Sequence, residues 1–118
     1  MLQVVDLLES KAFQDLELEL LSIAPDSSQD WANAAAEYDV PQGALLLSDA
    51  ENKVATRYDV MQWAAATGEP GHTFVLVDRD GTIAWVKDYG ALKNGGIMYV
   101  VPDEIARLVS AQLNGSPD

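Results

Sequence analysis

The chain has 118 residues, 48% of them hydrophobic, with 19 acids against seven bases and a net charge of −12. That is enough for one domain with a real core and too little for two, so residues 1–118 read as a single domain. The acidic balance repels phosphate backbones and excludes nucleic-acid partners. The absence of cysteine excludes disulfides, thiolate metal sites and a cysteine nucleophile.

No apolar run is long enough to span a membrane. The opening MLQVVDLLES carries acids inside its apolar stretch and lacks a basic leader, so it is not a signal peptide. A soluble, cytoplasmic protein with no membrane partner is expected.

Residues 2–14 predict a helix with Leu2, Val5, Leu8 and Phe13 on its apolar face, widened by Leu7 and Ala12, and with no capping residue in front. Residues 17–24 predict a strand in which Leu18, Leu20, Leu21 and Ile23 fill both faces. Ser27, with Asp30 three residues on, caps a helix over 28–39. In it Trp31, Ala34, Ala35 and Tyr38 form a buried stripe. After a turn at 40–43, residues 44–48 predict a short apolar strand. Asp49 caps a further helix through Val54 and Tyr58, and residues 61–67 predict another, closing at Gly68.

Residues 74–78 and 82–87 predict a hairpin turned by Asp78, Arg79, Asp80 and Gly81, the glycine supplying a positive φ. A glycine-containing loop over 89–98 leads to Pro102 at the first turn of the last helix. There Asp103 and Glu104 complement the helix dipole. Ile105, Leu108, Val109 and Leu113 face the core, Gly115 stops the helix and residues 116–118 fray. The order α-β-α-β-α-β-β-α, with early right-handed βα crossovers, predicts a three-layer α/β/α sheet.

Few residues carry chemistry. His72 is the only histidine. A general base needs a partner within reach, and a strand-edge histidine is more often structural. With no second histidine, zinc would have only carboxylates for its other protein ligands. Asp78-x-Asp80-Gly81 resembles the start of a calcium loop but lacks the later bidentate glutamate, and a hairpin turn explains it better. Ser22, Ser27, Ser28 and Ser48 lie in no nucleophile elbow. Gly90, Gly95 and Gly96 have the wrong spacing for a phosphate loop. Asn114-Gly-Ser116 is a glycosylation sequon with nothing to indicate secretion. Trp31 is assigned to the core, Trp63 and Trp85 to half-buried packing. No catalytic, metal or cofactor-binding residue is assigned, and no cofactor is expected.

LELLSIAPDS at 18–27, QGALLLSDAENKVATRYDV at 42–60 and HTFVLVDRDGTIAWV at 72–86 resemble, in order and separation, segments of the peroxiredoxin-like AhpC/TSA (redoxin) family of the thioredoxin-like fold. VPDEIARLV at 101–109 matches the place of that family's closing helix. The resemblance implies a thioredoxin-like sheet and thiol-dependent peroxide reduction, an antioxidant oxidoreductase activity. It also shows two departures. The helix that bears the family's peroxidatic cysteine corresponds to residues 2–14, so the strand and cysteine turn that precede it are not in this sequence. The family's arginine before the hairpin strand corresponds to Gly71, and its relatives' cis-proline falls one residue from Pro70. Met1, Met61 and Met98 cannot replace a thiolate in the cycle.

Three expectations follow. The chain is the C-terminal part of such an oxidoreductase, inactive as it stands, and its partner is the missing N-terminal segment. Alternatively, it is a non-enzymatic thioredoxin-like module, a homodimer or partner-binding protein paired through an exposed sheet edge, with helix 2–14 available for swapping. A weaker expectation places a small-ligand site at the strand ends, near residues 25–28 and 49–52.

Overall fold

A computed structural model describes residues 1–64, 68 and 72–114. The expected end of the helix at 65–67, and the expectations for Pro70, Gly71, Gly115 and residues 116–118, lie outside the described residues.

The first helix is two helices, α1 (Leu2–Glu9) and α2 (Lys11–Gln14). Ser10 separates them with an extended backbone (φ −73°, ψ 122°), and its hydroxyl accepts the Phe13 amide at 3.2 Å. A serine offered inside a helix has made the competing local bond and become a cap. The break moves the buried face of α1 to Gln3, Val5 and Leu7, and Leu2 and Ala12 are exposed. As expected, no side chain caps the start of α1.

The first strand, β1 (Leu21–Ala24), is shorter than predicted because residues 15–17 continue as a turn, with Glu17 at φ 57°. Leu18 and Leu20 pack against the core, while Leu21 and Ile23 remain 52% and 42% exposed. The Ser27 hydroxyl accepts the Asp30 amide at 3.1 Å and starts α3 (Ser28–Glu37), as the sequence predicts. The predicted buried stripe is only half-buried: Tyr38 has left the helix and is 45% exposed, and Trp31 sits beside β2 rather than in the core.

Strand β2 (Leu45–Ser48) pairs parallel with β1, Leu21 opposite Leu45 and Ile23 opposite Leu47, with α3 as the crossover. Beyond it a 3-10 turn (Ala50–Asn52) precedes α4 (Lys53–Arg57), so the helix starts later than predicted with Asn52 at its N-cap position, and the buried Asp49 carboxylate reaches across to take the Val54 amide at 2.8 Å and the Ala55 amide at 2.9 Å. Residues 61–63, expected as the start of a helix over 61–67, lie in a tighter 3-10 turn (Val60–Trp63).

Strands β3 (Thr73–Val77) and β4 (Ile83–Asp88) form the predicted antiparallel hairpin, with a bulge between Leu76 and Val77. Gly81 in the turn has φ 88°. Pro102 opens α5 (Pro102–Leu113) as predicted, and Ile105, Leu108 and Val109 are buried. Leu113, expected in the core, is 49% exposed in the last turn.

The main core gathers Leu7, Phe13, Leu76, Tyr89, Val100, Ile105, Leu108 and Val109, from α1, α2, the hairpin, the following loop and α5. Neither β1 nor β2 contributes a buried residue. The protein is thus a mixed α/β structure with the expected parallel and antiparallel pairings. The predicted continuous three-layer sheet, however, is replaced among the described residues by two separate two-stranded sheets. The reason lies in the strand neighbours. A fully apolar strand is covered on both faces only inside a wider sheet, and among the described residues β1 and β2 pair only with each other. No described helix is long and apolar enough to cross a membrane.

Candidate functional site

Polar chemistry concentrates at the open end of the hairpin, where His72, Thr73, Asp88 and Asn94 meet. The pairing of β3 with β4 sets Thr73 opposite Asp88, and the Thr73 hydroxyl donates to Asp88 Oδ1 at 2.7 Å. The chain then folds back over the same carboxylate. Asp88 Oδ1 accepts the Gly90 amide at 3.4 Å, and Oδ2 accepts the Ala91 amide at 3.0 Å and Asn94 Nδ2 at 2.8 Å. Burial pushes the Asp88 carboxyl up, but the Asn94, Thr73, Ala91 and Gly90 hydrogen bonds outweigh it and hold the carboxyl below its ordinary range.

Four donors occupy this carboxylate, which leaves it little capacity to take a proton from a substrate. Its observed work is to pin the loop after β4 to the edge of β3.

His72 precedes β3. Its carbonyl accepts the Tyr89 amide at 2.7 Å, and its ring meets Phe74 edge-on at 6.2 Å. Phe74 in turn meets Tyr89 edge-on at 5.9 Å. His72 Nε2 is buried and has no hydrogen-bond partner among the described residues. Burial pushes the imidazole below its ordinary pKa, with Asp88 pulling weakly the other way. The ring thus packs at the edge of an aromatic pair, Phe74 and Tyr89.

The other singled-out residues are used locally. Asp78 Oδ1 accepts the Asp80 and Thr82 amides at 3.3 and 3.1 Å, and Asp80 Oδ1 accepts the Thr82 amide at 2.9 Å. Hydrogen bonding from Asp78 and from Thr82 holds the Asp80 carboxyl down at about 2. These are turn carboxylates, and no group of three metal-ligating side chains occurs among the described residues. The Ser48 hydroxyl donates to the Asp26 carbonyl at 2.6 Å, and Trp31 Nε1 donates to the Leu47 carbonyl at 3.0 Å. At the ends of β1 and β2, Ser48 bonds to Asp26 and the Asp49 amide to the Ala24 carbonyl. The groove next to them, of about 520 Å³, is lined by Glu51, Lys53, Val54, Thr56 and Arg57, with no residue of 25–28.

Sequence reasoning missed Asp88 as the hub of the hairpin's open end. The spacing of Gly90 and Asn94 after it was the available sign, because an aspartate followed by small residues often accepts nearby backbone amides. It also missed Tyr89, whose hydroxyl donates to Glu104 Oε2 at 2.7 Å and ties the loop to α5.

The α/β scaffold thus carries a satisfied polar hub at the open end of the hairpin, and the sequence contains no cysteine. The model of the AhpC/TSA family matches residues 4–86, more than half of the chain. The protein belongs to the AhpC/TSA family, a peroxiredoxin-type, thioredoxin-like lineage. Among curated proteins and among solved structures, nothing matches it.

Proposed function

We propose that this chain supplies the structural C-terminal portion of a peroxiredoxin-type oxidoreductase and does not reduce peroxide alone. The observation that carries this is the absence of cysteine from all 118 residues. Peroxide reduction in this lineage consumes a thiolate and regenerates it from the sulfenic acid. The remaining candidates cannot take over. Asp88 is saturated, His72 Nε2 has no hydrogen-bond partner among the described residues, and a methionine would need an external reductase.

The test is consumption of hydrogen peroxide and of an organic hydroperoxide by the purified chain with a thiol reductant. Turnover at the no-protein background is expected; clear saturable turnover would overturn the proposal.

A second reading, a non-enzymatic thioredoxin-like interaction module, is favoured by one specific observation. The strands β1 and β2 are apolar in sequence yet hold Leu21, Ile23 and Leu47 at 42% exposure or more.

A further inference from the structure

An asparagine followed by glycine readily loses its side-chain amide, because glycine leaves the next backbone nitrogen unhindered. The sequence has two such pairs, Asn94-Gly95 and Asn114-Gly115. The first lies in the loop that closes over Asp88.

That loop needs both residues. The 3-10 turn Leu92–Asn94 ends at Gly95, whose φ of 114° lies in the left-handed region that glycine adopts freely. Asn94 reaches back and donates Nδ2 to Asp88 Oδ2 at 2.8 Å. Asp88 is buried, so this charge-assisted bond is sheltered from bulk water. A glycine required by the backbone and an amide required as a donor thus fall side by side, and together they form a reactive pair.

The same geometry restrains both reactants. The Gly95 nitrogen is the attacking atom, and its N–H is donated to the Leu92 carbonyl at 3.1 Å. The Asn94 amide is the electrophile, and Asp88 fixes its orientation. The Gly96 amide donates to the Ala91 carbonyl at 3.0 Å and the Ile97 amide to the Tyr89 carbonyl at 2.8 Å, which closes the loop around them. Reaction requires that the bonds on Asn94 and Gly95 open first. Asn114, at the end of α5, donates its amide only to the Ser110 hydroxyl, at 3.3 Å. A neutral hydroxyl holds an amide less firmly than a carboxylate does.

We propose that Asn94 is a covalent modification site gated by Asp88. When the loop opens, the Gly95 nitrogen gives up its proton and bonds to Asn94 Cγ, and the side-chain nitrogen leaves as ammonia. Water then opens the resulting cyclic imide to aspartate or isoaspartate. No electrons are exchanged; an amide and water become a carboxylic acid and ammonia. The product places a carboxylate where Asp88 had a donor. Two carboxylates at hydrogen-bond distance repel unless they share a proton, so the loop does not close again. The isoaspartate also adds a methylene to the backbone and cannot retrace the 3-10 turn. The loop after β4 is therefore a one-way switch. It involves no thiol and does not rest on the peroxide reading.

The experiment is incubation of the full chain in ammonia-free buffer at mildly alkaline pH. Peptide mass mapping then follows aspartate and isoaspartate at Asn94 and Asn114, with a synthetic peptide of residues 91–98 as the unrestrained reference. Native Asn94 should react about tenfold or more slowly than in the peptide, because a hydrogen bond to a charged group must break first. Asp88→Ala should speed Asn94 by about tenfold and leave the Asn114 rate unchanged. Wild type in urea, brought to the global stability of that variant, should not match the gain. In Asn94→Asp, which mimics the product, the Ala91 and Gly96 amides should lose protection from hydrogen exchange. Native Asn94 reacting as fast as the peptide overturns the proposal, and so does an Asn94 rate unmoved by Asp88→Ala. An equal gain in urea, or full protection of both amides in Asn94→Asp, overturns it too. If Asp88→Ala fails to fold, the wild-type rate against the peptide and the exchange in Asn94→Asp decide.

Discussion

Gln3 and Val100 stand 97 positions apart and exchange two buried hydrogen bonds. Gln3 Nε2 donates to the Val100 carbonyl at 2.8 Å, and the Val100 amide donates to Gln3 Oε1 at 2.7 Å. A side-chain amide here plays the part of a neighbouring strand and ties α1 to the segment just before α5. Beside it, the Tyr99 hydroxyl donates to Asp6 Oδ2. A buried polar residue on an apolar helix face is costly unless both its ends are satisfied, and here they are.

Gln3→Met keeps the volume and removes both bonds. It strands the Val100 N–H and C=O in the core, each costing about 1–3 kcal/mol. The expected result is a large drop in the urea midpoint, corresponding to a loss of about 2–6 kcal/mol in total, with an unchanged m-value. A loss under about 0.5 kcal/mol, the size of an ordinary surface substitution, would show that the pair does not hold α1 in place.

The polar hub at Asp88 makes stability depend on acid. Its carboxyl titrates below the ordinary value in the folded protein. The stabilisation is therefore fully present above the unfolded pKa of about 3.9 and lost as pH falls through the folded value. Asp88→Asn keeps the shape but weakens the charge-assisted bonds from Thr73, Ala91 and Asn94. The variant should be less stable at neutral pH, and its thermal midpoint should fall less between pH 5 and pH 2 than that of the wild type. Parallel acid limbs in the two proteins would remove Asp88 from the account of acid unfolding.

The helix α5 separates what periodicity reveals from what it does not. Ile105 is 2% exposed and Leu113 is 49% exposed, although both lie on one apolar stripe of the sequence. Ile105→Ala should cost about 2–5 kcal/mol through lost burial and a cavity. Leu113→Ala should cost less than about 0.5 kcal/mol, as for a surface position. Equal losses in chemical denaturation would contradict the observed end of the core.

Much of this fold was legible because its signals are local. Ser27 with Asp30, Asp49 before α4, Pro102 at the start of α5 and Gly81 in the hairpin turn each act within a few residues, and each appears where the sequence puts it. Failures came where a distant partner decides. Leu21 and Ile23 read as buried, but burial depends on neighbouring strands, and β1 has one among the described residues. Ser10 read as part of a helix because a serine can sit inside one or cap one, and only the Phe13 contact decides. At the candidate site the sequence placed His72 at the edge of the hairpin strand, and the structure sets its ring against Phe74 there. The sequence did not indicate that Asp88 would collect four donors, since two of them come from side chains, Thr73 and Asn94, 15 and 6 residues away.

The hairpin turn offers the most local test. Gly81 adopts φ 88°, and a Cβ added there would meet no atom within 4 Å. A substitution therefore meets backbone strain without a clash. Gly81→Ala should destabilise by about 1–2 kcal/mol, the cost of the left-handed region for an ordinary L-residue. Gly81→Asn should lose less, because asparagine tolerates that region better. The bulge between Leu76 and Val77 lies next to this turn and fixes the register that puts Thr73 opposite Asp88. A register slip would thus show as a loss of the Thr73–Asp88 contact at the far end of the hairpin. Exchange protection of the Tyr89 amide, which is bonded to the His72 carbonyl, reads that out. Equal stability of Gly81→Ala and wild type would mean that the turn relaxes to another type, and the Tyr89 amide should then lose protection.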